Sequence, residues 1–427
     1  MSFRCLGCFL MFAVAIAACN SDSSDEDTAR GISGDDGMSM GGTNEPQDGT
    51  SIGDFSCSDG FSFVPTADWQ TLTDAGTSSP SIVWTGEVYG ALWLEQSDFD
   101  DGKMLKFGRF SDAGEPLGES IDVGYASSGS HRIIFNGERF VLAWLNRRSQ
   151  SDPFDGVRVA VVSTDGDLSD EKQDIEGTFD TLALELAWDS YAGGLLAFTR
   201  GAQSSGGLFV VNFGENGLLS EPRQIESQTV VGFALTYGQS AWSVAYGVRD
   251  EEGMTKVWLN LLDDAGVPHD EEPIELGQDA LGSIKIAFNR GNYVVAWSAV
   301  NLEQKLMPKF VLLDGDAAVI GQPIVDLPYD FATIEHLVAH PTQGFVFAWQ
   351  SENDGVDLLG VQVMSALGIL QEPLVLSQPQ MVSRNQTRLA VGSEETLTVI
   401  VTKDSNPQPS GLSESVRLER LSLSQCE

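Results

Sequence analysis

Positive charge is what this chain has least of. Its 427 residues carry 24 Lys and Arg against 62 Asp and Glu, a formal net charge of −38. A field of that sign keeps a protein soluble and repels polyanions, so nucleic acid is excluded as a partner for the body of the protein. Histidine occurs only four times. His336 and His340 stand four apart in a strand-like run ended by Pro341; on a strand their rings lie about 13 Å apart and share no metal. The short patterns that announce chemistry are missing as well: there is no Gly-x-Ser-x-Gly elbow, no phosphate loop and no His-Glu-x-x-His. The acidic clusters Asp98–Gly102, Asp152–Gly156 and Asp165–Asp167 do not match the spacing of an EF-hand calcium loop, and Asp with Gly suits turns. No metal and no cofactor is expected; the alternative is calcium at Asp98–Gly102, which comes near the alternating-Asp pattern of propeller calcium loops. Glycoside hydrolysis needs only two carboxylates at a suitable separation, and so many acids leave it open.

The first nineteen residues read as a targeting segment. Arg4 precedes the apolar run Leu6–Ala18, which is too short to span a bilayer. The run ends Ile16-Ala17-Ala18-Cys19. This resembles the bacterial lipobox, with Ile16 in place of the commoner Leu. The resemblance implies a lipid thioether on Cys19 and an acylated amine, and several chains anchor stably where one does not. Simple secretory cleavage near Ala18 is the alternative. Asn20 follows the cysteine where an Asp would favour retention at the inner membrane, so the outer membrane is the expected address. Residues 20–56 are rich in Ser, Asp, Gly and Thr and poor in apolar side chains. Such a composition does not offset the entropy of ordering and reads as a flexible acidic tether, reaching roughly 30–35 Å by flexible-chain scaling.

Five cysteines are then accounted for. Cys5 and Cys8 leave with the signal segment, Cys19 takes lipid, and Cys57 and Cys426 remain. Two cysteines left over in an exported protein are expected to pair.

From residue 57 onward a short phrase recurs about every fifty residues, a period that signals stacked or radial repeats. It reads GALW (Gly90–Trp93), VLAW (Val141–Trp144), LLAF (Leu195–Phe198), SVAY (Ser243–Tyr246), VVAW (Val294–Trp297), VFAW (Val346–Trp349) and TVIV (Thr398–Val401). The unit around VLAW divides into His131–Asn136, a turn, the apolar Arg139–Leu145, a polar loop, Val157–Ser163, a turn at Thr164–Asp167, and a charged outer segment near Asp174. Charge on that last strand protects an edge from aggregation. These patterns predict an all-β, seven-bladed β-propeller of four-stranded antiparallel blades over 57–427. The last unit lacks its outer strand, and Phe61–Thr73 resembles one, so the N-terminal segment is expected to complete the last blade. Cys57 and Cys426 flank that junction, and a disulfide there would stabilise the closure by up to roughly 5 kcal/mol in the chain-entropy account.

Trp-Asp occurs once, at Trp188-Asp189, and does not recur from unit to unit as in WD40 repeats, and the units lack the kelch pattern of paired glycines followed by Tyr and Trp. The turns Ser111–Gly114 and Asp263–Gly266 are faintly similar to the Asp-box of sialidases, without its aromatic. The order of apolar strand, Asn-Gly turn and V-V/L-A-W resembles repeats in secreted lipoproteins of myxobacteria and their relatives. That resemblance implies a propeller and an envelope location, and no catalytic residues.

Aligning the units on the repeated aromatic sets one position of each first strand in register, at the strand's start: Ser81, Arg132, Glu185, Ala234, Lys285, His336 and Arg388, with one-residue gaps allowed for Glu185 and His336. In a propeller these strands line the central channel. The loops after the second strands add Arg147, Arg148, Arg200, Arg249 and Lys403. A large share of the few cations thus gathers at one channel mouth, where convergent charge attracts an anionic group. The competing account is that Arg132, Lys285 and Arg388 pair with Glu185, Glu95, Glu352 and loop aspartates. The repeated aromatics are core, and Trp69, Trp84, Trp242 and Trp258 are expected to pack rather than to stack on sugars.

The expected function is that of a monomeric, membrane-anchored extracytoplasmic protein that presents a propeller face to a protein or glycan partner, without catalysis of its own. The alternative is an envelope polysaccharide hydrolase or lyase with its site at the channel mouth, which requires converging carboxylates.

Overall fold

The computed structural model describes residues 61–425, apart from 66–69, 74–76, 97–102, 148–153, 202–205, 215–219, 251, 271, 301–304, 322–331, 354–355, 377–386, 393–395 and 405–413. The expected signal segment and tether, the lipid site Cys19, the pair Cys57 and Cys426, Arg148 and the cluster Asp98–Gly102 lie outside the described residues. Within them the protein is all-β: there is no helix, and the paired strands run antiparallel.

The unit around VLAW shows how the sequence builds its sheet. Arg139–Asn146 pairs with His131–Phe135 on one side and with Gly156–Ser163 on the other, and Gly156–Ser163 pairs with Gln173–Asp174. From Phe140 to Asn146 every residue is buried, although alternate side chains of a strand point to opposite faces. Both faces are therefore covered. Phe140, Leu142 and Trp144 pack towards the preceding repeat, with Leu92, Leu94 and Phe107. Val141, Ala143 and Leu145 pack towards the following one, with Leu184, Leu196 and Phe198. This two-sided burial is why the phrase is apolar at consecutive positions instead of alternating. The other apolar clusters are likewise shared between successive sheets, and one joins the last sheet to the first: Ile82, Tyr89, Ala91 and Trp93 with Ala390, Ile400, Val416 and Leu418.

The inner strands make the same circuit. Thr77–Trp84 packs against Ile121–Phe135, and the contacts pass on through Thr181–Asp189, Val230–Tyr237, Ala280–Asn289 and Thr333–His340 to Arg388–Val391, which returns to Thr77–Trp84. Sheets radiating from a closed circuit of inner strands form a β-propeller. Two polar bonds reinforce the closure. Thr398 Oγ1 donates to Tyr89 Oη at 2.7 Å in the buried interior, and Arg420 pairs with Asp112 at 3.1 Å.

The repeated aromatics are core: Trp144, Trp297, Trp349, Tyr246 and Phe198 are fully buried. Each tryptophan needs a close neighbour without a side chain. A Cβ on Gly360 would lie 2.2 Å from Trp349, and one on Gly108 would lie 2.7 Å from Trp93. Trp242 is buried and packs edge-on against Tyr237, and Trp84 lies on Tyr89, so both belong to the packing.

Turns after the third strands follow one pattern. The side chain of Ser111, Ser163, Asp263, Asp314 or Ser365 accepts the backbone N–H four residues on, a local bond that Ser and Asp readily make. Asp165-Gly166-Asp167 sits in one of these turns.

One difference from the sequence reading concerns a connection. The strand expected to start at His131 starts ten residues earlier, and Ile121–Phe135 is one continuous strand. Its first part pairs with Lys103–Phe107 and its second with Phe140–Trp144, because Tyr125–Ser130 holds no Pro or Asn to turn the chain. At the other end of the circuit, the C-terminal strand Glu414–Gln425 pairs with Phe61–Pro65 and Gln70–Thr73 of the N-terminal segment expected to complete the last blade.

Candidate functional site

The aligned positions of the inner strands come together. Ser81, Arg132, Glu185, Ala234, Lys285, His336 and Arg388 all line one central cavity of about 370 Å³. Pairing explains the convergence. Each lies directly across from the residue that precedes the repeated aromatic or its equivalent: Ser81 from Leu92, Arg132 from Ala143, Glu185 from Ala197, Ala234 from Ala245, Lys285 from Ala296, His336 from Ala348 and Arg388 from Ile400. Beyond this level the lining is apolar, with Val83, Trp84, Val338, Ala339, Ala390 and Val391.

These positions were expected at strand starts; Arg388 does begin its strand, Arg388–Val391, whereas the structure places the others further inward. Lys285 lies midway along Ala280–Asn289, for example. The cause is a register slip just before them, between Ser78 and Ser81, Ala126 and His131, Thr181 and Ala183, Val230 and Gly232, Ala280 and Ile284, and Ile334 and His336. Such bulges re-aim the side chains that follow them. Neighbouring inner strands are drawn together at this level. Ser130 Oγ donates to the Leu182 carbonyl at 3.3 Å and Ser283 Oγ to that of Ile334 at 2.5 Å. A Cβ on Gly232 would lie 1.8 Å from the Gly282 oxygen.

Within the cavity the charged groups have unequal partners. Arg132 grips Glu185 through two bonds, Nε to Oε2 at 2.7 Å and Nη2 to Oε1 at 2.5 Å, and its Nη1 donates to the His131 carbonyl at 2.7 Å. Arg388 donates from Nη1 to the Thr387 carbonyl at 2.8 Å. Among the described residues no carboxylate lies within ion-pair distance of Arg388 or of the Lys285 ammonium. The contrast with other cations is plain: Lys106 bridges Glu95 and Asp122, Arg158 holds Asp174, and Lys256 holds Glu275. The pairing account of the sequence thus applies to Arg132, whereas Glu95 is engaged by Lys106.

His336 Nδ1 accepts the backbone N–H of Leu389 at 3.1 Å. That bond leaves the ring proton of the neutral imidazole on Nε2, as a donor. Burial, then Arg388, Lys285 and Arg132, hold this histidine well below its usual pKa. Burial pushes Lys285 down to about 8, with Arg388 adding to the effect and Glu185 opposing it. Arg388 is lowered to about 10 by burial and by Arg132, against Glu185 and Glu335. For Glu185, burial raises the pKa, but the Arg132 charge and hydrogen bonds outweigh it and the net shift is downward.

The loop cations go elsewhere. Arg147, Arg200 and Arg249 are not among the residues lining the cavity. Arg200 has the same strand parity as Phe198, so its guanidinium covers the faces of Phe209 and Phe198, at 4.4 and 5.7 Å from their centroids, in the way long cationic side chains cover apolar surface. Arg147 and Arg249 are exposed at strand ends. Two residues near the cavity escaped the sequence reading. His131 is buried in a strand opposite Trp144, with its pKa lowered to about 3 by burial, Arg132 and Arg388. Glu335 is a buried carboxylate whose Oε1 accepts from Thr333 Oγ1 at 3.1 Å. It is the residue bulged out between Ile334 and His336, so a register-based alignment passes over it. Among the described residues no group of three or more His, Cys, Asp and Glu converges as a metal site.

No protein-family model and no curated protein matches this chain. Solved structures similar to it include three domains of other proteins. The β-propeller domain of the trilobed protease from Pyrococcus furiosus is 11% identical, with a TM-score of 0.48, over 77% of this chain and 90% of that one. The Dos1 propeller is 10% identical, with a TM-score of 0.45, over 84% and 95%. The catalytic domain of the Coprinopsis cinerea GH62 α-L-arabinofuranosidase is 8% identical, with a TM-score of 0.36, over 84% and 96%. None of them carries an activity, a ligand or a residue role to this chain.

Proposed function

We propose that this protein is an extracytoplasmic binding propeller without catalysis of its own, held at the outer membrane by lipid on Cys19 and a tether over 20–56. It presents one propeller face and its central cavity to a protein or glycan partner. The reading counts seven blades of four strands. Ile121–Phe135 then serves two of them, and the paired termini close the last. The closing junction is joined by Cys57 and Cys426, whose near neighbours Phe61 and Gln425 pair in register.

The observation that carries the binding reading is the pair of cations at the cavity, Lys285 and Arg388, that no described carboxylate engages in a protein with a large acid excess. A structural role would have quenched them, as it quenched Lys106 and Arg158. Hydrolysis of a polysaccharide needs two cooperating carboxyls, and Glu185 is the one carboxylate among the described lining residues, held ionised by Arg132. The test is affinity capture from envelope extract with the mature, detergent-solubilised protein, alongside its Lys285→Glu/Arg388→Glu variant. A partner retained by the first and lost by the second is expected. Turnover of envelope polysaccharide, abolished by Glu185→Gln, would reverse the reading in favour of a hydrolase.

A further inference from the structure

Resting on that binding reading, we propose that the central cavity is a site for a small organic monocarboxylate, its oxygens held between Lys285 and Arg388 with His336 as a third donor and its apolar body against the wall of Val83, Trp84, Val338 and Val391. Three observations lead there. The first is donor chemistry. An ammonium has donors and no acceptor, a guanidinium likewise, and the Leu389 N–H occupies the acceptor of His336. The remaining polar groups at this level therefore ask for an oxygen-rich acceptor, and an anionic one makes the stronger, charge-assisted bonds.

The second is local charge. Arg132, Lys285 and Arg388 supply three positive charges, and Glu185 and Glu335 supply the negative charges that act on them. The excess is one, which a monoanion neutralises and a phosphate dianion overshoots. The third is shape. A cavity of about 370 Å³ whose lining turns from charged to aliphatic and aromatic along its length is too large for an inorganic ion alone. Binding sites for small molecules have this character: apolar walls and a few placed polar groups.

The experiment titrates the mature protein with acetate, isovalerate and benzoate, and with benzamide and inorganic phosphate for comparison, following heat of binding and thermal shift. The same titrations run on Lys285→Met, Arg388→Met and, as a distant ion-pair control, Lys256→Met. Saturable binding is expected for isovalerate or benzoate, tighter than for acetate, and absent for benzamide. Loss of one charge-assisted bond should weaken it about 10-fold or more in Lys285→Met and Arg388→Met, with Lys256→Met unchanged. Affinity should fall as pH rises past about 8, when Lys285, faced by Arg388, Glu185, Arg132, Glu335 and His336, gives up its proton. Cooperative melting of each variant shows that it is folded. Phosphate binding as tightly as the carboxylates, benzamide binding as tightly as benzoate, or no saturable binding of any probe would each overturn the proposal. If a macromolecular partner is captured all the same, and survives Lys285→Met and Arg388→Met, the binding reading stands while this site falls.

Discussion

Arg132 and Glu185 stand on neighbouring inner strands and join them across the cavity wall by two parallel hydrogen bonds. The pair settles how the remaining charges behave. Glu185 spends its carboxylate on Arg132 and reaches Lys285 and Arg388 only through space, so the wall is neutral on one side and cationic on the other.

Glu185→Gln should therefore destabilise the protein by about 1–3 kcal/mol, less than for a fully buried pair because both side chains are partly exposed. The loss is read from chemical denaturation. The folded-state pKa of Glu185 lies below its ordinary 4.5. Its contribution is therefore present above that value and lost as pH falls below it through the folded pKa. In the variant this part of the acid sensitivity should disappear.

Lys285→Met should act in the opposite direction and raise the melting temperature of the ligand-free protein. The folded pKa of Lys285, about 8, lies below its ordinary 10.5. Between those values the unfolded chain holds a proton that the folded protein lacks, so this group makes stability rise with pH across the window. Below pH 8 its charge costs about 1–3 kcal/mol, the upper figure before screening. A stability that Lys285→Met leaves unchanged or lowers would mean that the ammonium is satisfied in a way the cavity geometry does not provide.

Gly360→Ala should overpack the sheet against Trp349, at a cost of about 1–3 kcal/mol, measured by denaturation. Trp349→Phe in the same chain should recover part of it, because the ring that meets the new methyl is smaller. Equal destabilisation in the single and double variants would show that the contact is not the cause.

Cys57 and Cys426 should be recovered as one disulfide-linked peptide pair from protein purified out of the envelope, and Cys57→Ser should lower the melting temperature only under non-reducing conditions. Two free thiols in the native protein would remove the disulfide and leave the strand pairing of Phe61–Pro65 with Leu421–Gln425 as the closure.

The convergence of Arg132, Glu185, Lys285, His336 and Arg388 was legible in the sequence because an aromatic fixed by packing carries its strand partner with it. Once Trp144 is core, Ala143 faces the next sheet and Arg132 is set opposite Ala143. What the sequence did not disclose depends on departures from that regularity. A bulge shifts no residue type and leaves no periodic mark, so the inward placement of Lys285 and the presence of Glu335 went unseen. Arg200 was misplaced for a different reason. A charged residue just past an apolar strand reads as a loop cation, yet its parity with Phe198 folds it over aromatic rings. The long strand Ile121–Phe135 looks like two in the sequence because its middle is polar, yet serines do not by themselves end a strand.

The packing of Ala390, Ile400 and Leu418 against Ile82 and Tyr89 has a consequence for how the molecule loosens. An open array of repeats frays from its ends, where the outermost unit has a neighbour on one side only. Here the units nearest both chain termini are interior members of a loop without ends. Backbone amides of Val399–Val401 and Val416–Leu418 should then exchange with deuterium as slowly as those of Val294–Trp297 in mid-chain, all of them waiting on the same global opening.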